Sequence, residues 1–327
     1  YRSHVAIEPY LSDQWYVQTS SRPDRPLPPE KDLAQIALAA MAQGDEVKSE
    51  IRNPKSEIKG RVLFTPARYA KTFQTWHENI RDWCISRQLW WGHRIPVWSF
   101  EPEEDWADPD AIQIELSELF VSYSRAAGLP SDSYAVQIDM DAWSVFVCAR
   151  SDDAVEALHA LRHCPMATRT HTPGEDLPLT DGDRLPVDQR KHGKKIAGFI
   201  NVNNPVQDPD VLDTWFSSAL WPISTMGWPE PERFADGTPD GSPGVPEGRA
   251  LLEHWNPSSV LCTAREIITL WVSRMVMFNR YFRGGTLPFS DVFIHAMIQD
   301  GEGQKMSKSL GNGVDPLDII HSHGADA

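Results

Sequence analysis

Two closely spaced lysines in the segment Lys305-Met306-Ser307-Lys308-Ser309 are the residues of this sequence best suited to chemistry. This segment, called the lysine loop below, offers two ammonium groups and two hydroxyl groups, and glycines lie on both sides of it. Such a loop suits a polyphosphate, because fixed cations stabilise the negative charge that grows as pyrophosphate leaves. A lysine pair alone is usually a solvated surface feature, but the five-residue segment with its Leu310-Gly311-Asn312 tail is far more specific.

The segments before the lysine loop alternate between strand and helix. Val260-Leu261-Cys262 and residues 291–297 are apolar runs that predict buried strands. Between them, Thr263 and Glu266 have the spacing of a capping box, which predicts a helix from there to about Phe282. This alternation predicts a parallel α/β sheet. Ligands of open α/β sheets bind beyond the carboxyl ends of the strands, and the lysine loop follows such an end.

Length and composition restrict the class of protein. The 327 residues suit two or three folded units, and the net charge of −15 argues against extensive nucleic-acid coating while allowing a local basic site. The sequence contains no apolar run of membrane-spanning length and no secretory signal, so we expect no membrane partner. The four cysteines form no C-x-x-C pair, which predicts reduced thiols in a cytoplasmic protein. The first residue is not Met, and we expect the chain to be part of a longer protein.

The first hundred residues contain two predicted helices and a strand. One helix is expected around Asp32 to Gln43. A second, amphipathic helix is predicted by apolar residues at helical spacing, namely Tyr69, Phe73, Trp76, Ile80 and Trp83. The following segment is expected to end as a buried strand at about Trp98.

A separate small α/β insertion is expected at residues 102–204, where the composition changes. Residues 134–138 and 143–147 alternate like strands, and Ser151 can cap a helix that buries Val155, Leu158 and Leu161. Residues 165–193 and 222–249 are predicted to be loops. No chemistry is identified in the residues of this insertion, and its role is open.

The lysine loop resembles the KMSKS signature of class I aminoacyl-tRNA synthetases. Residues 8–15, 79–96 and 208–222, the last containing Asp213-Thr214-Trp215-Phe216-Ser217, resemble the valine branch of that family. The resemblance covers residues 1–17, 60–98 and 205–327, and hardly extends to 102–200. It implies the second half of a Rossmann-like parallel-sheet nucleotide-binding domain. Residues 1–17 would be the exit from an editing domain, 18–101 and 205–300 the catalytic core, and 301–327 the lysine loop and the start of a helical region.

The resemblance also implies an activity and its partners. The carboxylate of valine would attack the α-phosphate of ATP, with Mg²⁺ bound to the ATP, and the valyl-adenylate would react with tRNA(Val). Lys305 and Lys308 would be the catalytic residues, and the full-length enzyme would be a monomer. The residues implied in ATP binding are Lys305, Met306, Ser307, Lys308, Ser309, His295 and Glu266.

An apolar valine pocket is implied around Trp215. Asp213 belongs to the same motif, and Ile267 or Ile268 would lie opposite. The alternative is that Trp215 is an ordinary core residue. An apolar pocket discriminates weakly against an isostere that carries a hydroxyl, so a separate editing domain is expected.

Some positions depart from the family pattern or have two interpretations. Most relatives have Thr-Gly-x-Asp where this chain has Thr263-Ala264-Arg265-Glu266, so Glu266 is either a ribose ligand or only a capping residue. His295 is either an ATP ligand or a strand-end histidine. His321 and His323 alone are too few ligands to predict a metal site, and cysteine pairs are missing after Trp98, so no zinc site is predicted.

Two other functions compete with valine activation. Residues 218–222 disfavour an isoleucine enzyme, because those enzymes diverge after the Trp-Phe pair. A non-catalytic nucleotide- or tRNA-binding module is the alternative from a different class. The His-rich signature of class I enzymes does not occur in these residues, so we expect the isolated chain to be inactive.

Overall fold

The computed structural model describes residues 13–41, 61–103, 106, 108–139, 143–161, 186–231, 248–306 and 311–326. The chain forms two compact units. Unit 1 comprises Tyr1–Ile85 and Asp213–Ala327, and unit 2 comprises Ser86–Leu212. The predicted insertion at residues 102–204 lies within unit 2.

The described strands are, in chain order, β1 (Tyr16–Val17), β2 (Leu63–Thr65), β3 (Trp83–Cys84), β4 (Ser86–Arg87), β5 (Val97–Phe100), β6 (Tyr134–Asp139), β7 (Ser144–Ala149), β8 (Val206–Gln207), β9 (Val211–Leu212), β10 (Ser258–Ala264) and β11 (Phe289–His295). The described α-helices are α1 (Leu33–Leu38), α2 (Arg68–Glu78), α3 (Pro109–Ala126), α4 (Asp152–Ala160), α5 (Val187–Ile196), α6 (Thr214–Ser224), α7 (Gly248–Trp255), α8 (Ser273–Phe282) and α9 (Pro316–His323). No helix among the described residues is both long and apolar enough to cross a membrane.

Unit 1 contains the predicted parallel sheet. Its strand order is β10-β11-β2, and β11 runs parallel to both neighbours. The helices pack around Leu261, Val292 and Ile294 on one face. The other face is exposed, with Val260 58% exposed and Phe293 47% exposed, so the prediction of buried strands holds for one face only. The parallel α/β architecture itself is confirmed.

The amphipathic helix α2 is shorter than its sequence pattern predicts. It ends at Glu78, and the side chain of Asn79 turns back to donate to the Thr75 carbonyl oxygen. Trp83, assigned to the helix face by its spacing, lies instead in β3, which pairs antiparallel with β1. Phe73 and Trp83 are both buried in the core of unit 1. The apolar spacing therefore reflects burial of two different elements, helix α2 and strand β3.

The capping box predicted at Thr263 and Glu266 is wrong. Thr263 is buried within β10, where it pairs with Ile294 of β11, and no side chain caps the following turn. The chain continues as a 3-10 turn at Arg265–Ile267, then as a π-helix at Ile268–Val272, and only then as α8. Because Thr263 pairs with β11, it belongs to strand β10. The regular helix α8 therefore begins only after the 3-10 turn and the π-helix.

Unit 2 builds a second core on an antiparallel sheet with strand order β6-β7-β5-β8. Helices α3, α4 and α5 contribute to this core with Phe120, Leu158 and Ile196. The Ser151 cap is confirmed, since its hydroxyl oxygen accepts from the Ala154 amide at 3.2 Å. Leu158 and Leu161 are buried as predicted.

The prediction of a loop over residues 165–193 is wrong at its end. Helix α5 begins at Val187, directly after Pro186, and buries Gln189, Gly193 and Ile196. The Gln189 amide donates to the Tyr123 hydroxyl oxygen at 3.2 Å. This tertiary contact stabilises a helix whose composition is otherwise polar. Residues 165–185 of the predicted loop lie outside the described part of the chain.

Candidate functional site

The carboxyl ends of β10 and β11 bring three of the predicted site residues to one edge of the sheet. Ala264, the last residue of β10, is the parallel partner of His295, the last residue of β11. Glu266 follows two positions after Ala264 in the 3-10 turn. Lys305 follows β11 along the chain. Since both strands point the same way, the segments that carry these side chains emerge at the same edge.

Lys305 forms an ion pair with Glu266 across this edge. The Nζ–Oε2 distance is 3.1 Å, and the side chains are 59% and 37% exposed. The contact explains the position of Glu266, whose carboxylate holds the first lysine of the lysine loop rather than a helix cap. An exposed pair of this kind contributes at most about 1 kcal/mol. A phosphate group with higher charge can therefore compete with Glu266 for the ammonium group.

The segment that leads from β11 into the lysine loop is a small hairpin. Gln299 and Lys305 form an isolated antiparallel bridge, and the Met306 amide donates to the Ile298 carbonyl oxygen at 3.4 Å. Met306 is half-buried. The predicted ATP-binding residues Ser307, Lys308 and Ser309 lie outside the described residues. Of the lysine loop, the structure thus places Lys305 and Met306.

Asp300 joins the two ends of the lysine loop. One carboxylate oxygen accepts from the amides of Glu302 and Gln304 at 3.0 and 2.8 Å. The other oxygen accepts from the side-chain amide of Asn312 at 2.8 Å. Sequence reasoning missed Asp300, although an Asp-Gly pair ahead of a short loop is a turn signal and aspartate often bonds the amide two residues on.

His295 is exposed at the end of β11. Its Nδ1 atom lies 2.8 Å from the carbonyl oxygen of Ala296, and this contact requires Nδ1 to carry the proton. The contact of His295 with ATP stays a prediction.

Two of the residues implied in a valine pocket, Asp213 and Trp215, lie at the start of α6. The Asp213 carboxylate is buried and accepts from the indole of Trp83 at 3.1 Å. The Trp83 ring packs on Phe216 and Phe278, with ring centroids 5.9 and 5.7 Å away. Trp215 is half-buried against the core of unit 1. These contacts fix the backbone on both sides of Trp215.

The π-helix lies beside α6. The Trp271 indole donates to the Ser218 carbonyl oxygen at 3.2 Å, and its ring lies 6.0 Å from that of Trp221. Ile268 is fully buried in the core, whereas Ile267 is half-buried. The elements that carry Trp215 and the two isoleucines are therefore neighbours, and Ile267 has more surface available to a ligand than Ile268 has.

Metal-ligating side chains are dispersed in the described part of the chain. Within it, no group of three His, Cys, Asp or Glu residues is placed to hold a metal ion. His321 and His323 are exposed on α9, and His323 Nδ1 lies 2.8 Å from the Ser322 hydroxyl oxygen.

Comparison with known proteins gives the family. The profile of tRNA synthetases class I (I, L, M and V) matches residues 6–127 and 187–327. A valine–tRNA ligase of Rhodopirellula baltica is 38% identical over the whole chain, and one of Geobacillus kaustophilus is 35% identical over the whole chain. The chain spans 23% and 22% of the length of these two relatives.

A likeness in structure is more distant. A crystal structure of a ternary complex of an Agrobacterium radiobacter K84 leucyl-tRNA synthetase with tRNA and LeuAMS matches 86% of this chain and 28% of that one. The sequence identity is 19% and the TM-score is 0.34, too low to bear on function. The family profile, by contrast, covers most of the chain on both sides of residues 128–186. The chain belongs to the class I tRNA synthetases of the isoleucine, leucine, methionine and valine group.

Proposed function

We propose that the protein containing this chain activates valine with ATP and transfers it to tRNA(Val). The arrangement of Glu266, His295 and Lys305 at the carboxyl edge of a parallel sheet, next to the lysine loop, is the observation that carries the proposal. The similarity of the whole chain to two valine–tRNA ligases supports valine as the amino acid.

In this proposal the lysine loop binds the phosphates of ATP. Lys308 contacts them directly, Lys305 exchanges its partner Glu266 for phosphate oxygens, and Met306, Ser307 and Ser309 complete the loop. When the valine carboxylate attacks the α-phosphate, the bond to the leaving pyrophosphate breaks and its charge increases. Fixed ammonium groups stabilise that charge more in the transition state than in the bound substrate.

The valine pocket in this proposal lies between α6 and the π-helix. Trp215 and Ile267 contact the side chain of valine, Ile268 supports them from the core, and Asp213 holds the start of α6 through Trp83. His295 and Glu266 lie on the nucleotide side. The described residues offer no metal-ligand cluster of their own, so Mg²⁺ is proposed to arrive on the phosphate oxygens of ATP, whose charge it neutralises.

Amino-acid-dependent ATP–pyrophosphate exchange by the full-length protein tests the proposal. We expect strong exchange with valine, weaker exchange with threonine, and little with isoleucine or leucine. Lys308→Ala should reduce the valine-dependent rate about a hundredfold or more, the usual effect of removing one group that stabilises transition-state charge. Lys71→Ala, an exposed lysine on α2, is the matched control and should behave like the wild type. Exchange with isoleucine above valine would favour the isoleucine alternative. A folded protein that binds tRNA but exchanges with no amino acid would favour the non-catalytic module.

A further inference from the structure

The two ends of the lysine loop meet at a single carboxylate. Asp300 precedes the loop and Asn312 follows it, and the Asn312 amide donates to Asp300 Oδ2 at 2.8 Å. The same amide lies 3.3 Å from the Lys305 carbonyl oxygen. The chain therefore leaves this point at Lys305 and returns to it at Asn312.

The entry side of the loop is held by the same residue. Asp300 Oδ1 accepts from the Glu302 and Gln304 amides, and the backbone amide of Asp300 donates to the Gln304 carbonyl oxygen at 2.9 Å. Asn312 and the Gln304 amide lower the pKa of Asp300, in that order, so the carboxylate is charged at neutral pH. Hydrogen bonds to a charged acceptor are stronger than neutral ones.

Fixing both ends of a loop restricts the positions of the residues between them. Ordering a backbone costs conformational entropy for each residue that is fixed, and binding ATP would incur this cost in full if the loop ends were unrestrained. The hydrogen bonds of Asp300 hold the two ends of the loop together and so reduce this cost. They also hold the Lys305 backbone within reach of Glu266.

We propose that Asp300 and Asn312 form a clamp that positions the lysine loop for the ATP-dependent step. The two are positioning residues, since they act through Lys305 and the loop rather than by touching the substrate. This inference rests on the proposed function and adds to it the residues that preorganise the loop.

Asp300→Asn in the full-length protein tests the clamp. It keeps the shape of the side chain and removes the charge, so kcat/KM for ATP in valine-dependent exchange should fall about tenfold or more. The KM for valine should change less than about twofold, because the clamp does not reach the pocket in this proposal. Transfer from preformed valyl-adenylate to tRNA should keep the wild-type rate, since that step releases no pyrophosphate. A general folding defect would lower activation and transfer together.

Asn312→Asp is an independent test of the clamp. It places a second carboxylate against that of Asp300, so it should lower the rate of valine activation more than Asp300→Asn does. The double variant Asp300→Asn with Asn312→Asp again pairs one amide with one carboxylate and should recover part of that loss. Asp318→Asn, an exposed carboxylate on α9, is the matched control.

Three results would overturn the clamp in an active protein. Asp300→Asn could behave like the Asp318 control, it could lower activation and transfer equally, or the double variant could be no better than Asn312→Asp. A wild-type protein without valine-dependent exchange would instead refute the proposed function and with it this inference, so the two failures are distinguishable.

Discussion

At the scale of single residues, His77 is the buried ionisable group whose surroundings most clearly define its state. Its Nδ1 lies 2.8 Å from the Phe73 carbonyl oxygen and its Nε2 lies 2.9 Å from the Ser273 hydroxyl oxygen. The carbonyl can only accept, so Nδ1 carries the proton and Nε2 accepts from the hydroxyl. Burial lowers the pKa of His77 to about 4. The folded protein therefore holds a neutral imidazole that links α2 to α8.

This neutral histidine predicts a loss of stability in mild acid. The unfolded chain binds a proton at His77 below a pKa of 6.5, whereas the folded chain does so only near 4. Its contribution is thus fully present above pH 6.5 and is lost as the pH falls towards 4. Between pH 7 and pH 5 the free energy of unfolding should fall by about 2 kcal/mol from this residue.

Urea denaturation of the wild type and of His77→Gln at pH 7 and pH 5 measures the effect. The variant should lack most of the pH dependence, whereas His254→Gln, at an exposed histidine on α7, should retain it. An equal pH dependence in the wild type and in His77→Gln would show that the buried imidazole is not responsible.

At the scale of elements, a reciprocal amide pair joins three helical segments of unit 1. Asn256, just after α7, donates to Asn279 Oδ1 of α8 at 2.8 Å and to the Pro222 carbonyl oxygen of α6 at 3.1 Å. Asn279 donates back to Asn256 Oδ1 at 3.1 Å and to the Thr286 carbonyl oxygen at 2.9 Å. Both asparagines are almost fully buried. Their amides satisfy the backbone carbonyl groups of Pro222 in α6 and of Thr286 after α8.

Replacing one asparagine of this pair should lower the free energy of unfolding by more than half of the amount that replacing both lowers it. Asn279→Ala removes the side-chain donor of Asn256 Oδ1 and of the Thr286 carbonyl oxygen, and we expect a loss of about 2 kcal/mol in the free energy of unfolding. Asn256→Ala should have a similar effect. The double variant should lose less than the sum of the two, because the unpaired amide of each single variant is then absent. Chemical denaturation of the four proteins gives the coupling energy, and strictly additive losses would contradict a direct interaction.

At the scale of the whole molecule, the two units have separate hydrophobic cores. The core of unit 1 includes Val276 on α8, and that of unit 2 includes Leu158 on α4. Both side chains are essentially buried. Since none of the residues that the structure describes belongs to both cores, a cavity made in one should act mainly on the unit that contains it.

Leu158→Ala should therefore destabilise unit 2 by about 2–5 kcal/mol while ATP–pyrophosphate exchange at 25 °C is retained. Val276→Ala is the corresponding change in unit 1, and it should lower the stability of the unit that holds the candidate site. Hydrogen exchange of backbone amides assigns each loss to a unit. Faster exchange throughout both units after either change would mean that they unfold as one.

The sequence determined by itself the features that depend on residue type over a short span. The lysine loop, the parallel strands that precede it and the Ser151 cap follow from local composition and periodicity. The family also follows from short motifs at residues 208–222 and 305–312.

Only the tertiary structure decided the features that depend on partners far apart in the chain. Thr263 had the spacing of a helix cap, but hydrogen bonding to β11 holds it in a strand. Trp83 had the spacing of a helix face, but pairing with β1 and its bond to Asp213 place it elsewhere. Glu266 meets Lys305, and Asp300 meets Asn312, because chain folding places separate segments side by side. Local sequence patterns do not specify such contacts, because burial and hydrogen-bond partners are determined by the folded chain.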